Sequence, residues 1–459
     1  MKKSIALTTL LLTQMASALN VSQISGQIQQ KISPRGQTEI CAISNKLIPS
    51  AYSDKDAERE NDLCAIDFYK THALCPKQNS TNPGVLVADL LKGKSREQTM
   101  TLCKGPDDDL SVEAKFKNSI SCSYTPSILA YYHFSRMFKA GRVPVAVLRT
   151  MDKEEHLKVA TAGKDMTQDG IIIHETWESF ISQHAKLNND KLFDDSRMFV
   201  YGALSENPKK ELKYTEVSGV GSYDTRYQRF TQQAPYLKTA DARSIVDIVG
   251  SQDIKKIIPV VVQMKDVSDM VLMDTLFSQD DRIGNIHFKL AWYTVETNPQ
   301  TGQLDIKNTK SKATLSSDKK TWIIPEEEKA IQAKGGVLVR EMIMKDNDCG
   351  VNVAVRSNMM RQVNALEGIK HMSARTYKKF MEFYKIAKNP ETLNWMKKEL
   401  LFTDADLGTS KPQQGKSFLA NLEKAKSILV AGCKSGTLKL DLDLENYLPN
   451  ATAKQVSCE

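Results

Sequence analysis

The sequence predicts an α+β fold with two lobes, in which a mixed small lobe precedes a mainly helical large lobe. Alternating and apolar runs typical of β-strands flank a helical segment between Leu110 and Arg149. The last third of the chain instead carries apolar residues at helical spacing, as in the segment Tyr377–Tyr384. The length of 459 residues suits one large two-lobed domain or two smaller domains.

Residues 1–18 have the composition of a secretory signal peptide. Lys2 and Lys3 precede the short apolar run Ile5–Leu12, and Ala16–Ala18 has the small residues of a cleavage site. This run is too short to anchor a folded protein in a bilayer, and no later segment is apolar enough for a membrane helix. We therefore expect an exported protein without a transmembrane segment, either secreted or periplasmic.

The cysteines favour disulfides over a metal site. There are eight of them, and an even number in an exported chain is typical of a disulfide framework whose connectivity the sequence leaves open. No CxxC pair or His/Cys cluster indicates zinc. Five cysteines precede residue 125 and three follow residue 345, so disulfides could crosslink each half separately.

The charge pattern argues against nucleic-acid binding. The net charge is +8, and part of it leaves with the signal peptide. The lysines are scattered among acidic residues and form no basic stripe interleaved with aromatic residues. We expect a solvated surface with a few phosphate-binding lysines.

We divide the chain into four segments. The signal peptide is followed by a polar N-terminal extension at residues 19–62, a small lobe at 63–150 and a large lobe at 151–459. The hinge between the lobes is expected near Arg149–Lys153. In the large lobe, Leu212–Gln233 is polar and punctuated by glycine, as substrate and activation loops often are.

The small lobe is predicted as strand, helix and strand. Apolar and charged residues alternate in Leu110–Lys117, which is typical of a half-buried strand. In the helix that follows, Thr125 is the expected N-cap, Pro126 opens the first turn and Gly141 lies just past the end. The apolar run Arg142–Arg149 predicts the second strand.

The large lobe is predicted to mix a few strands with many helices. Ser373 is the expected N-cap of one C-terminal helix, and the apolar spacing from Phe418 to Leu429 predicts another. The remaining predicted elements are a helix at Glu175–Ala185, a strand at Ile257–Met264, a helix at Val267–Phe277, and a hairpin of Ala291–Glu296 with Gln303–Lys307.

Two acidic motifs carry the functional prediction. The segment Asp274–Asn285 ends a helical run in Asp280-Asp281-Arg282, and D-N-D-C-G at Asp346–Gly350 follows the strand-like Val339–Met344. An acid on a loop after a helix, then a second acid after a strand, is how kinase-like folds build a phosphoryl-transfer site. One acid orients the attacking hydroxyl, and the other holds the divalent ion on the ATP phosphates.

The order of four motifs resembles a known family. They are F-K at Phe116-Lys117, the helix-to-strand element Ala130–Pro144 ending in R-V-P, the helix and D-R of Asp269–Arg282, and the D-N-D of Asp346–Gly350. Together they resemble the secretory-pathway kinases that include the Golgi casein kinase and Four-jointed, and more distantly the HipA-like and phosphatidylinositol 4-kinase groups. The resemblance implies a bilobal protein-kinase-like fold that binds ATP with Mg²⁺ or Mn²⁺.

The resemblance also implies which side chains bind the nucleotide and the metal. Lys117, with Lys115 on the same strand face, would bind the phosphates, because an ammonium group pairs well with phosphate oxygens. Asp346 would ligate the metal, since Mg²⁺ and Mn²⁺ prefer carboxylate oxygens and phosphates. Asp348 and Asn285 are further candidate contacts to the metal or the phosphates.

Asp281 would be the catalytic acid/base, with Asp280 as the alternative. Asp280 lies five residues before Asn285, which is the spacing of protein kinases. The chain also departs from the family pattern. Ile128 occupies the place of the helix acid that pairs with the lysine, and Glu113 or an acid within residues 107–109 would have to replace it. The catalytic segment reads D-R-I-G-N where the family has D-R-H, and the hairpin region before Asp346 is longer than expected.

These patterns predict an exported metal- and ATP-dependent phosphotransferase acting on Ser/Thr of exported proteins or on a glycan hydroxyl. The main alternative is a secreted pseudokinase that binds or scaffolds without chemistry, for which Ile128 is the reason. A kinase fold that transfers AMP, and a disulfide-linked binding domain with an accidental resemblance, remain open at this point.

Overall fold

The computed structural model describes residues 18–79, 82–104, 110–318, 320–353, 357–410, 416–449 and 456–459. The predicted signal peptide lies almost entirely outside these residues. The α+β character is confirmed, whereas the bilobal protein-kinase-like arrangement stays a prediction. No helix among the described residues has the length and apolar character needed to cross a membrane.

The larger sheet has seven antiparallel strands in the order β1-β2-β6-β7-β5-β4-β3. Its strands come from both sides of the predicted boundaries at residues 62/63 and 150/151, because β2 and β7 each pair with β6. The predicted hinge near Arg149–Lys153 coincides with the end of β6 and the start of the next helix. The strands are β1 Gln27–Ile32, β2 Thr38–Ile43, β3 His72–Pro76, β4 Val85–Asp89, β5 Val112–Asn118, β6 Ala146–Asp152 and β7 Phe199–Glu206.

The smaller sheet contains the predicted hairpin, which is confirmed as β9 and β10. β13 pairs antiparallel with the other edge of β9, and the short β8 also pairs with β9. Two further short strands form a separate ribbon. The strands are β8 Leu212–Lys213, β9 His287–Thr297, β10 Leu304–Lys310, β11 Thr314–Leu315, β12 Trp322–Ile323 and β13 Val337–Ile343.

Seventeen helices are assigned in the described residues, and most follow β7. The N-cap predicted at Ser373 is confirmed, since its side chain accepts a hydrogen bond from the Thr376 amide. The helices are α1 Asp54–Ala65, α2 Arg96–Thr101, α3 Thr125–Phe138, α4 Lys153–Asp165, α5 Ile172–Lys186, α6 Thr215–Ser218, α7 Arg226–Phe230, α8 Ala234–Thr239, α9 Ile245–Val249, α10 Ile254–Phe277, α11 Glu326–Ala333, α12 Met359–Gln362, α13 Ala365–Gly368, α14 Ala374–Ile386, α15 Pro390–Glu399, α16 Asp404–Leu407 and α17 Phe418–Ser435.

The strand predicted at Ile257–Met264 is wrong, because these residues form the first half of α10. The run is rich in β-branched residues. Their preference for strands is weak and depends on how the side chains pack. Here Ile258 and Val262 pack on the smaller sheet, and Ile257 and Val261 pack on the C-terminal segment around Leu442. Tertiary burial on two faces therefore selects the helix.

Aromatic side chains join α3, α10 and α17 in the main core. The ring of Phe134 lies 5.2 Å from the rings of both Phe277 and Phe418, measured between centroids. Helix α3 begins at Thr125 with Tyr124 as its N-cap, so the N-cap predicted at Thr125 is wrong by one residue. This packing fixes the C-terminal end of α10, where the first acidic motif begins.

The cysteines form four disulfides, Cys41–Cys64, Cys75–Cys103, Cys122–Cys349 and Cys433–Cys458. The predicted preference for disulfides is thereby confirmed. The disulfides are not confined to the separate halves, since Cys122–Cys349 joins residues 227 positions apart. Sequence spacing missed this bridge because strand pairing brings the two loops together.

Candidate active site

Strand pairing brings the two acidic motifs to one place. The loop with Asp280 and Asp281 precedes β9, and the loop with Asp346 and Asp348 follows β13. The two strands run antiparallel with His287 opposite Ile343, so the start of β9 lies beside the end of β13. The loops are also joined directly, because the Asp280 amide donates to the Cys349 carbonyl at 3.2 Å.

Arg282 holds the two loops together from inside. Its guanidinium is buried and binds the Asp274 carboxylate at 3.0 Å. The same side chain donates to the Lys345 carbonyl at 2.6 Å and to the Asn347 side-chain oxygen. Burial opposes the charge on Arg282, but Asp274 outweighs it and raises the pKa of the guanidinium. Asp274 was missed by the site prediction, and its position near the C-terminal end of the helix was the only signal for it.

Lys117 contacts both acids of the second motif. It is buried on β5, with its Nζ 2.9 Å from Asp348 Oδ2 and 3.3 Å from Asp346 Oδ1. Burial alone would lower the pKa of Lys117, but the two carboxylates outweigh burial and raise it. Three predicted site residues from two distant segments therefore converge on one point.

Three more lysines surround Asp346. Burial would raise the pKa of its carboxyl group, but Lys117, Lys77, Lys115 and Lys345 together hold that pKa well below its usual range. Burial, assisted by the charge on Lys117, lowers the pKa of Lys77 to about 8. Lys77 was not predicted, because it follows β3 and nothing in its local sequence distinguishes it. The carboxyl group of Asp346 is therefore within the electrostatic influence of four lysines.

Asp281 lies in the same site with a perturbed carboxyl group. Burial raises the pKa of Asp281 to about 6; the charge on Arg226 opposes this rise, and the charges on Asp348, Asp280 and Asp346 add to it. The guanidinium of Arg226 lies 3.9 Å from the carboxylate.

Asn285 contacts Asp281 directly. Its side-chain amide donates to Asp281 Oδ2 at 3.2 Å and to the Asp281 carbonyl at 2.9 Å. The predicted role of Asn285 as a metal or phosphate contact stays a prediction, while the observed contact is one that orients the Asp281 carboxylate. Asp280 is half-buried beside it, and its carbonyl accepts a hydrogen bond from Arg226.

A small pocket of about 30 Å³ lies beside Lys117. Lys115, Ile128, Pro144 and Asp346 contribute to its wall, together with residues at the end of β7. Ile128 supplies no charge, so the partners of Lys117 are the two acids after β13 and not an acid on α3.

Among the described residues, Glu113 does not replace the missing helix acid as a partner of Lys117. The Glu113 carboxylate binds His72 at 2.9 Å. The acids at 107–109 lie outside the described residues. The lysine of this site is therefore paired in a different way from the one the family pattern implies.

The Cys122–Cys349 disulfide lies beside Asp281. A carboxylate oxygen of Asp281 is within 4.8 Å of both sulfur atoms. Because both sulfur atoms are committed to the disulfide, they are not metal ligands. The bridge fixes the Asp348 loop to the residues that precede α3, where the Tyr124 amide also donates to the Asp348 carbonyl at 2.9 Å.

Neither a protein-family model nor a curated protein matches this chain.

Proposed function

We propose that the protein is an exported metal- and ATP-dependent phosphotransferase that modifies Ser or Thr of exported proteins or a glycan hydroxyl. The observation that carries the proposal is the convergence of Asp346 and Asp348 on the ammonium group of Lys117, at 3.3 and 2.9 Å. Asp281 lies close enough to both acids for their charges to raise its pKa. A phosphoryl-transfer site needs these parts: a lysine for the phosphates, acids for a divalent ion and an acid for the hydroxyl.

The position of Lys117 supports the nucleotide part of the proposal. β3, β4 and β5 are consecutive neighbours in the larger sheet, and Lys117 lies on the third of them. In protein kinases the ATP lysine is on the third strand, and the loop between the first two strands covers the phosphates. Here the corresponding loop begins with Lys77, whose ammonium group is electrostatically coupled to Asp346 and Lys117. Lys115 and Lys117 also line the adjacent pocket.

The residues present fit a divalent ion. The Asp346 and Asp348 carboxylates already converge on one cationic atom, the Nζ of Lys117, so the same oxygens suit Mg²⁺ or Mn²⁺. When bound, the ion neutralises charge on the transferring phosphate. Lys117 would then exchange its carboxylate partners for phosphate oxygens, which are equally strong acceptors.

Asp281 is suited to accept the proton of the attacking hydroxyl. A general base works best with a pKa near the operating pH, and the pKa of about 6 leaves Asp281 mostly ionised at neutral pH. Asn285 donates to Oδ2 at 3.2 Å, while the other oxygen, Oδ1, faces Arg226 at 3.9 Å and would have to accept the hydroxyl beside that guanidinium. We expect activity to fall below about pH 6, as Asp281 becomes protonated. Asp280 stays the alternative base.

A pseudokinase is the second candidate, and two observations favour it. Ile128 lines the pocket where the resemblance places a glutamate, and Lys117 is held by the acids that a metal would need. In that case the site would bind nucleotide or a partner without transfer. The distinction is experimental, because a bound metal would release Lys117 to the phosphates.

The test is the intact mass of the purified mature protein and of casein, a generic acidic substrate, after incubation with ATP, Mg²⁺ and Mn²⁺. We expect a phosphoryl group on either protein, lost in Asp346→Ala and Asp281→Asn. Asp318→Asn is the matched control, since Asp318 is an exposed acid that accepts hydrogen bonds from Ser316 and Lys320 in its own turn. Transfer of AMP would change the proposed chemistry. Nucleotide binding without any modification would favour the pseudokinase, and unchanged transfer in both site variants would refute the assigned residues.

A further inference from the structure

A second group of side chains that could bind a metal lies on β3, β4 and β5, at the end of these strands remote from Lys117. His72 at the start of β3 is directly opposite Asp89 at the end of β4, and Glu113 lies near the start of β5. Glu113 is four residues before Lys117, which corresponds to about 13 Å along an extended strand. The group is therefore separate from the proposed phosphoryl-transfer site, and it belongs to three adjacent strands.

The three ligand atoms have the spacing of a metal site. The Nε2 of His72 lies 2.9 Å from a Glu113 oxygen and 3.9 Å from an Asp89 oxygen, and all three atoms are within 4.8 Å of one another. A tetrahedral zinc with bonds of about 2.1 Å has ligand–ligand distances of about 3.4 Å. The two measured distances to His72 lie on either side of that value.

The second ring nitrogen of His72 has the environment of a metal-bound histidine. Its Nδ1 lies 3.3 Å from the Asp67 carbonyl oxygen and 2.8 Å from the Thr71 hydroxyl. These oxygens suit a proton on Nδ1, and a backbone carbonyl is a common partner of that proton in zinc sites. The lone pair on Nε2 then points at two carboxylates. An unprotonated nitrogen and a carboxylate are both hydrogen-bond acceptors, so neither can donate to the other. With the proton on Nδ1, a cation between the three atoms, either a proton or a metal ion, satisfies all of them.

The charge and access of the site also favour a metal ion. In the described part of the chain, no lysine or arginine forms an ion pair with Asp89 or Glu113. The side chain of His72 is 10% exposed, whereas those of Asp89 and Glu113 are 47% and 42% exposed, so an ion can enter from solvent. Two carboxylates balance the charge of a divalent ion, and an imidazole ligand favours Zn²⁺ over Ca²⁺ or Mg²⁺.

We propose that His72, Asp89 and Glu113 bind a zinc ion that joins β3, β4 and β5 at the end of the strands remote from Lys117. Three protein ligands leave a fourth position for water. The site goes beyond the proposed phosphotransferase activity and does not depend on it. Its consequence is a fixed register of the strands that present Lys77 and Lys117.

The test is calorimetric titration of Zn²⁺ into the mature protein after removal of metal with EDTA. We expect one equivalent to bind to the wild type, with affinity reduced at least about tenfold in His72→Asn and in Glu113→Gln. His174→Asn is the matched control, because His174 has a similar carbonyl contact at Nδ1 but only one carboxylate, Asp169, at Nε2.

Asp346→Ala separates this site from the one beside Lys117, and zinc binding is expected to survive it. Two independent ligand variants protect the test against a folding defect in one of them, and circular dichroism reports on folding in each. The proposal is overturned when the folded wild type binds no zinc, or when both ligand variants bind zinc as tightly as the wild type. Loss of zinc binding in Asp346→Ala alone would assign the ion to the other site.

Discussion

The carboxylate of Asp281 should destabilise the folded protein at neutral pH, and Asp281→Asn should relieve that cost. The pKa of its carboxyl group rises from an ordinary value of 3.8 to about 6 in the folded protein. At about 1.36 kcal/mol for each pH unit, this difference corresponds to about 3 kcal/mol. The side chain is only 23% exposed, so most of that cost persists in water.

The sign follows from proton linkage. Below pH 3.8 both the folded and the unfolded states hold the proton, so Asp281 contributes nothing. Between 3.8 and about 6 the unfolded state releases the proton while the folded state keeps it, so the free energy of unfolding falls as pH rises. Above about pH 6 the full cost is present. Asparagine carries no charge and avoids the cost at every pH.

Urea unfolding of the disulfide-bonded protein at pH 4 and pH 8 measures the effect. We expect Asp281→Asn to raise the free energy of unfolding by about 2–3 kcal/mol at pH 8 and by little at pH 4. Asp318→Asn is the control, and its free energy of unfolding should change in the opposite direction. Hydrogen bonds lower the pKa of Asp318, so its charge stabilises the folded protein. A pH-independent difference for Asp281→Asn, or a less stable variant at pH 8, would refute the reasoning.

Three further predictions concern the surroundings of the site. Asp274→Asn leaves the buried guanidinium of Arg282 without its carboxylate, so we expect a loss of about 3–5 kcal/mol in urea unfolding. Replacing Cys122 and Cys349 by serine opens a link across 227 residues, and we expect a loss of about 3–5 kcal/mol measured in the same way. Lys77→Met removes one cation beside the proposed phosphates, and we expect about three- to tenfold weaker nucleotide binding in calorimetry.

The sequence was informative where a local pattern determines the structure. The alternation in β5 placed Lys115 and Lys117 on one strand face, and the turn signal at residues 298–302 predicted the β9–β10 hairpin. The acidic motifs were recognised because each follows a clear periodic element. Their proximity could be expected from the resemblance, but only the pairing of β9 with β13 explains it physically.

Long-range pairing explains what the sequence did not indicate. Lys77 and Asp274 join the site through strand order and helix packing, and only Asp274, an acid in an apolar helical run, carried a signal in its local sequence. The Cys122–Cys349 bridge depends on the same loops, and the sequence left its pairing open. The N-terminal extension was judged polar and separate, yet β2 pairs with β6 in the larger sheet. The β-branched run in α10 misled because burial outweighed local propensity.

The central claim is that Lys117, Asp346 and Asp348 form a site for a metal-bound nucleotide. Calorimetric titration of Mn²⁺·ATP into the EDTA-treated mature protein tests it most directly, because binding needs no knowledge of the substrate. The account predicts one saturable site whose affinity falls at least about tenfold in Asp346→Ala, with the control Asp318→Asn unchanged. No binding at millimolar nucleotide, or equal binding by wild type and Asp346→Ala, would contradict it.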